Sequence, residues 1–258
     1  MASPTLVAAP VCIAVATAAL WLLGRRFEGY FDDRRLFFSL VVGFFAGLLV
    51  AFLEVVLFRF HDPGFLLQAA FGGLLLGLGY GLLESLAKLV VLGSKGYRVR
   101  KDTPFYGAAL GIGFGATLSL QYLAAHILHH RAQADAWGPA FLRAATMASL
   151  LAWGIVLGNA GVGVLLGKAA SDGRLKRAIL TGTLAQAPLP LLLGLYGAGL
   201  HLRTPGWQLG ILATVAFVYG AGAFVLAVRA LDRVVPPEIR DIVRRDRRRK
   251  ARQAGRQV

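Results

Sequence analysis

Glu84 and Lys88 stand one helical turn apart in a stretch that is otherwise uncharged from Phe65 to Leu92. An ionisable group held at mid-depth in hydrocarbon costs about 2.5–3.5 kcal/mol on insertion scales, so each such group is a candidate for function. A carboxylate in that setting can ligate a metal or exchange a proton. With Lys four residues later, in the order that pairs best on a helix, it can also neutralise itself while the lysine snorkels toward the interface. Glu54 is a third intramembrane ionisable group, near the end of its own apolar run. His126 and His130 share a helix face at i,i+4, with His129 beside them, and two imidazoles so spaced can chelate a divalent metal that Asp62 or Asp135 could complete. No Glu lies between them as a zinc-protease helix would need, and the plainer role is to solvate a helix end. His61 and His201 fall on the same side of the expected topology.

The elements that must position these groups are long apolar helices. Of the 258 residues 57% are hydrophobic and only 16% charged, where a soluble domain carries about 25% charged residues. Runs long enough to cross roughly 30 Å of hydrocarbon recur at about Leu6–Leu23, Leu36–Phe58, Phe65–Leu92, Phe105–Leu128, Phe141–Leu166, Leu175–Ala198 and Trp207–Leu231. An all-α, polytopic membrane bundle of about seven transmembrane helices follows, because hydrocarbon offers no partner to an open backbone. A soluble enzyme and a water-exposed sheet are excluded. The first run has no Lys or Arg before Arg25, so it reads as a retained helix rather than a cleaved leader. The single cysteine, Cys12, lies inside that run and says nothing of compartment.

The net charge of +15 would suggest nucleic acid in a soluble chain, but its distribution argues otherwise. Arg25, Arg26, Arg34 and Arg35 follow the first span, Lys95, Arg98, Arg100 and Lys101 the third, and Lys168, Arg174, Lys176 and Arg177 the fifth. The alternate loops carry one or two basic residues each. Basic residues accumulate on the cytoplasmic side, so the pattern predicts an N-terminus outside and a C-terminus inside. Two units follow, a bundle over 1–232 and a basic cytoplasmic tail over 233–258. The tail holds ten Lys or Arg, among them Arg244, Arg245, Arg247, Arg248, Arg249 and Lys250, against three acids. Beside a bilayer that composition predicts binding to anionic lipid head groups, at about 1 kcal/mol per basic residue. Without interleaved aromatics or a base-reading fold it does not predict nucleic-acid binding.

Small residues at four-residue spacing, Gly73 with Gly77 and Gly81, Gly107 with Gly111 and Gly115, and Gly163 with Gly167, predict close helix–helix approach. Gly111, Gly113 and Gly115 imitate a dinucleotide-binding loop, but no strand precedes them. Pro188 and Pro190, with Gln186 nearby, predict a break in the sixth span.

The segments Leu83-Glu84-Ser85-Leu86-Ala87-Lys88, Phe105-Tyr106-Gly107 through Thr117-Leu118, Gly167-Lys168-Ala169 and Leu191 to Tyr196 resemble, in order and rough spacing, the PrsW family of intramembrane metalloproteases. The resemblance spans about residues 20–230. It implies a protease-like bundle in a bacterial or archaeal cytoplasmic membrane, with a zinc ion held by imidazole and carboxylate ligands and a carboxylate base for the metal-bound water. Carried over residue by residue, the family's paired glutamates fall on Glu84 and Ser85 and its lysine on Lys88. Its next Glu-Asn falls on Leu118 and Ser119, its fifth-helix His between Ser149 and Ile155, and its last His on Leu193. No Glu occurs between Glu84 and Glu238, and no His between His130 and His201, so no shift of alignment restores the donors. The expectation is a catalytically inactive relative that binds a transmembrane protein client, with no cofactor. The alternatives are an active metalloprotease, for which zinc would be required, and a small proton-coupled transporter.

Overall fold

The computed structural model describes residues 4–58, 66–131, 139–202 and 205–235. Among them the chain forms eight helices and no strand: α1 (Pro4–Phe27), α2 (Asp33–Phe58), α3 (Leu66–Leu92), α4 (Thr103–Arg131), α5 (Pro139–Ser171), α6 (Leu175–Gln186), α7 (Pro188–His201) and α8 (Gly206–Val234). Six stretches are long and apolar enough to cross a membrane: Pro10–Phe27, Asp33–Leu53, Thr103–Ala124, Ala145–Ser171, Leu175–Leu200 and Gly206–Val234. This is the architecture of an integral membrane protein. α3, at 27 residues, is as long as its neighbours and carries Glu84 and Lys88.

The expected sixth span is broken at Ala187, where α6 gives way to α7. Pro188 and Pro190 lack the N–H groups that would bond to the carbonyls of Leu184 and Gln186, so the helical ladder loses two rungs there. The Tyr219 hydroxyl of α8 donates to the Ala185 carbonyl beside the break, the kind of outside partner that keeps a broken helix tolerable in lipid. α8 ends at Val234, with Val235 extended at ψ 117, as expected of a residue that precedes a proline. Residues 236–258 of the expected tail lie outside the described residues.

α4 and α5 form the centre, with α4 also packed on α2 and α1, and α5 on α8. Both are sheathed by the other helices; Gly111, Gly113 and Gly115 sit in the middle of α4, and no strand is present among the described residues. The glycine ladders make the contact. A Cβ added to Gly107 or Gly163 would overlap the other's carbonyl oxygen, and one on Gly111 would overlap that of Asn159. With lipid on the outside and no hydrophobic effect between helices, this approach gives the contact its dispersion energy. On α3, Gly77 and Gly81 play the same part against the α6–α7 break, where a Cβ on Gly81 would sit 2.9 Å from the Ala187 nitrogen.

The three basic loops gather at one end of the bundle with the C-terminus of α8. Arg26 pairs with Asp232 at 2.6 Å, Arg35 donates to the Gly96 carbonyl, the Val99 N–H to the Ala170 carbonyl, and the Tyr30 hydroxyl to the Val234 carbonyl. Beneath them Phe105 packs against Phe27, Tyr30 and Phe31, with ring centroids 5.1–5.5 Å apart. Asp102 ties this end together: it accepts two bonds from Arg100 at 3.0 Å and one from Tyr106 at 2.7 Å, and Tyr106 in turn accepts from the Asp32 N–H. Partial burial by itself would raise the Asp102 carboxyl, but the Arg100 and Tyr106 bonds outweigh it and hold it below its ordinary 3.8. A depressed folded value means that the ionised form stabilises the fold above about pH 3.8, and that this contribution is lost as pH falls through the folded value. Thermal unfolding in detergent should therefore show an acid-sensitive component below that pH which Asp102→Asn removes. Identical acid profiles for the two proteins would contradict this.

Candidate functional site

Along α5 and α6, about 17 Å from the basic end at 1.5 Å per residue, four polar side chains from three helices converge. Glu84 and Lys88 of α3, Asn159 of α5 and Gln186 of α6 are each no more than 1% exposed. Lys88 Nζ donates to Asn159 Oδ1 at 2.5 Å and to Gln186 Oε1 at 3.1 Å, and lies 3.5 Å from Glu84 Oε2. Gln186 Nε2 donates to Glu84 Oε2 at 2.6 Å and to Asn159 Oδ1 at 3.2 Å, and Asn159 Nδ2 donates to the Ile155 carbonyl at 3.0 Å. The ring of Phe114 on α4 closes the floor, its centroid 4.3 Å from the ammonium, a cation–π contact that gains strength when desolvated.

The surrounding glycines explain how these groups meet. Gly111 lets α4 lie against the backbone of Asn159, and Gly81 lets α3 reach the break that presents Gln186. Lys88 does not snorkel as the sequence suggested: its side chain is fully buried, because amide oxygens from α5 and α6 give the ammonium partners closer than the interface. Asn159, the chain's only asparagine, and Gln186 are the partners of Glu84 and Lys88 that residue order alone did not assign. Their signal was a lone amide in each of two largely apolar spans.

Ser85, Leu118, Ser119 and Leu193, the positions singled out by the sequence resemblance, are all buried, but they do not share one pocket. Leu118 of α4 and Leu193 of α7 belong to one apolar cluster with Phe114, Leu151, Ile155 and Tyr196. Ser119, one residue on, donates to the Ala116 carbonyl and lies beside Cys12 of α1. Ser85 faces Gly182 of α6, and its hydroxyl has no hydrogen-bond partner among the described residues. The side chains of Glu54, His126, His129, His130 and His201 lie outside the described residues, as do His61, Asp62, Asp135 and the tail from 236 on, with Arg244, Arg245, Arg247, Arg248, Arg249 and Lys250. Among the described residues no three His, Cys, Asp or Glu side chains converge.

Comparison with protein-family models, curated proteins and solved structures finds no match for this chain. What the site can do must therefore be argued from its atoms. The described bonds run between members of the network or to the α5 backbone, an arrangement that ties three helices together and engages Glu84 through its Oε2.

Proposed function

We propose that this protein is a non-catalytic membrane scaffold of the PrsW type, which holds a transmembrane client rather than cutting one. The observation that supports the reading is the packing of Leu118 and Leu193 in a single apolar cluster with Leu151 and Ile155, two residues of the 149–155 stretch. A zinc site needs imidazole and carboxylate donors converging with room for a water. The resemblance would bring such donors together from α4, α5 and α7, and aliphatic side chains occupy that volume instead. Those described side chains offer a metal no donor. Glu84, the one acidic position the resemblance leaves in place, has its Oε2 engaged by Gln186 and Lys88.

α3 offers a surface for a client helix. It packs on α6 and α7 and only lightly on α2, and Leu75, Leu82 and Leu86 are outward-facing. Gly79 on the same side has open space around it, and a small residue there permits close helix approach. In this reading the chain crosses the membrane seven times, with the basic end and tail in the cytoplasm and the tail residues Arg244 to Lys250 on anionic lipid.

Metal analysis of the purified full-length protein, combined with a cleavage assay on reconstituted membrane-embedded substrates, tests the proposal. Zinc at background and no cleavage are the expected results. Stoichiometric zinc that survives loss of His126 and His130, or cleavage abolished by Glu84→Gln, would overturn it. A second reading, a proton-coupled carrier, is favoured by one observation: the Glu84–Lys88 pair adjoins a broken helix, where transporters place their sites. It predicts proton-dependent flux in vesicles that Glu84→Gln abolishes, and the scaffold reading predicts none.

A further inference from the structure

The basic end of the bundle carries an open pocket of about 360 Å³ lined by Tyr30, Arg100, Lys101 and Asp102. We infer that this pocket binds the phosphate-bearing head group of an anionic phospholipid, at a site separate from the basic tail.

Its chemistry is that of an anion site with one negative charge already neutralised. Asp102 is occupied by Nε and Nη2 of Arg100 and by the Tyr106 hydroxyl, so Nη1 of Arg100 is not spent on the carboxylate. Lys101 is exposed and has no ion pair among the described residues. Arg100 and Lys101 against Asp102 leave the pocket with a net positive charge. Arg98 is two residues away, and Arg35 is held on the neighbouring Gly96 carbonyl.

The pocket also lies at the depth of a head group. It sits where α1 ends at Phe27 and α4 begins at Thr103. On α1 below it, Trp21 is 55% exposed with the Arg25 guanidinium 5.0 Å from its ring centroid, and Trp207 is exposed at the far end of the bundle. Exposed tryptophans at both ends mark the two membrane–water interfaces. Val99, between Arg98 and Arg100, is 69% exposed with φ 62. That left-handed conformation is an outlier for a β-branched residue and persists only where its surroundings impose it. Here the bond from its N–H to the Ala170 carbonyl holds it, so an apolar side chain stands out between two arginines. This is the arrangement of a loop that dips into the interface while its cations stay with the phosphates. Basic pockets between helices at this depth select anionic over zwitterionic lipid by charge.

The test uses full-length protein in which Arg244, Arg245, Arg247, Arg248, Arg249 and Lys250 are replaced by glutamine, so that the tail does not mask the pocket. Retained lipid is read by native mass spectrometry after incubation with phosphatidylglycerol, with phosphatidylcholine, or with phosphatidylglycerol plus inorganic phosphate. Retention of phosphatidylglycerol over phosphatidylcholine is expected. Lys101→Gln should lower its occupancy about fivefold, the worth of one basic residue at the surface, and Lys101→Arg should restore it. Lys101 is exposed, so the variant leaves the fold intact. Unchanged occupancy in Lys101→Gln, or equal retention of phosphatidylcholine, would overturn the assignment. So would full displacement by equimolar inorganic phosphate, which would mark a free-phosphate site instead.

Discussion

Lys88→Met is expected to destabilise the bundle by about 3–5 kcal/mol, the cost of leaving a buried charge without its partner. The ammonium is the hub of the network: it faces Glu84, Asn159 and Gln186 and rests on the Phe114 ring. Removing it leaves the buried Glu84 carboxylate, among the described residues, with the neutral Gln186 amide as the donor to its Oε2. Glu84→Gln alone should cost a comparable amount by stranding the cation. The double variant Glu84→Gln/Lys88→Met strands neither, and should recover to within about 1 kcal/mol of the parent, since replacing a whole buried pair is often neutral or stabilising. A double-mutant cycle on unfolding in mixed micelles measures this. Additive single effects would show that Glu84 and Lys88 are not partners, and would also remove the reason given above for Glu84 being unavailable to chemistry. If the network is the clamp that joins α3 to α5 and α6, each single variant should also increase proteolysis at the α6–α7 break.

Gly163→Leu should be as damaging for a different reason. The Gly163 backbone lies against that of Gly107, and any Cβ at either position would overlap the facing carbonyl oxygen. Backbone cannot swing aside as a side chain does, so α4 and α5 must separate along the most extensive contact in the bundle. Overpacking a well-filled core costs about 1–3 kcal/mol where side chains can adjust, and a backbone clash belongs at or above the top of that range. Even Gly163→Ala should be clearly destabilising. Gly222→Ala provides the control: its added Cβ meets nothing within 4 Å, so its effect should be neutral or slightly stabilising through helix propensity. Thermal unfolding in detergent distinguishes them, and equal midpoints for Gly163→Ala and Gly222→Ala would refute the close approach. Separation of α4 from α5 would also move Asn159 away from Lys88, so the packing and the polar network should fail together.

Most of the element boundaries were legible in residue order. The run expected at Leu36–Phe58 is α2 at Asp33–Phe58, and the run expected at Trp207–Leu231 is α8 at Gly206–Val234. Such agreement has a simple cause. A helix in lipid must be apolar on most of its surface and long enough to span, and both demands are local properties of the chain. The break at Pro188 and Pro190 was equally local, since a missing N–H is a property of the residue. The glycine ladders announced close contacts, but not that Gly107 faces Gly163 while Gly81 faces Ala187.

By itself, then, the sequence determined that this is an all-helical membrane bundle, where most of its helices lie to within a few residues, which loops are basic, and that Glu84 and Lys88 needed an interior explanation. Only the tertiary structure decided what that explanation is. A helix that is apolar all round has no amphipathic stripe to say which side faces a neighbour, so nothing in residue order could pair Asn159 and Gln186 with Lys88 across 71 and 98 residues. Nor could it show that Leu118 and Leu193 pack in one cluster while Ser85 and Ser119 turn elsewhere. Those outcomes depend on helix rotation and crossing, which in lipid are set by interlocking shape and a few buried hydrogen bonds rather than by hydrophobicity.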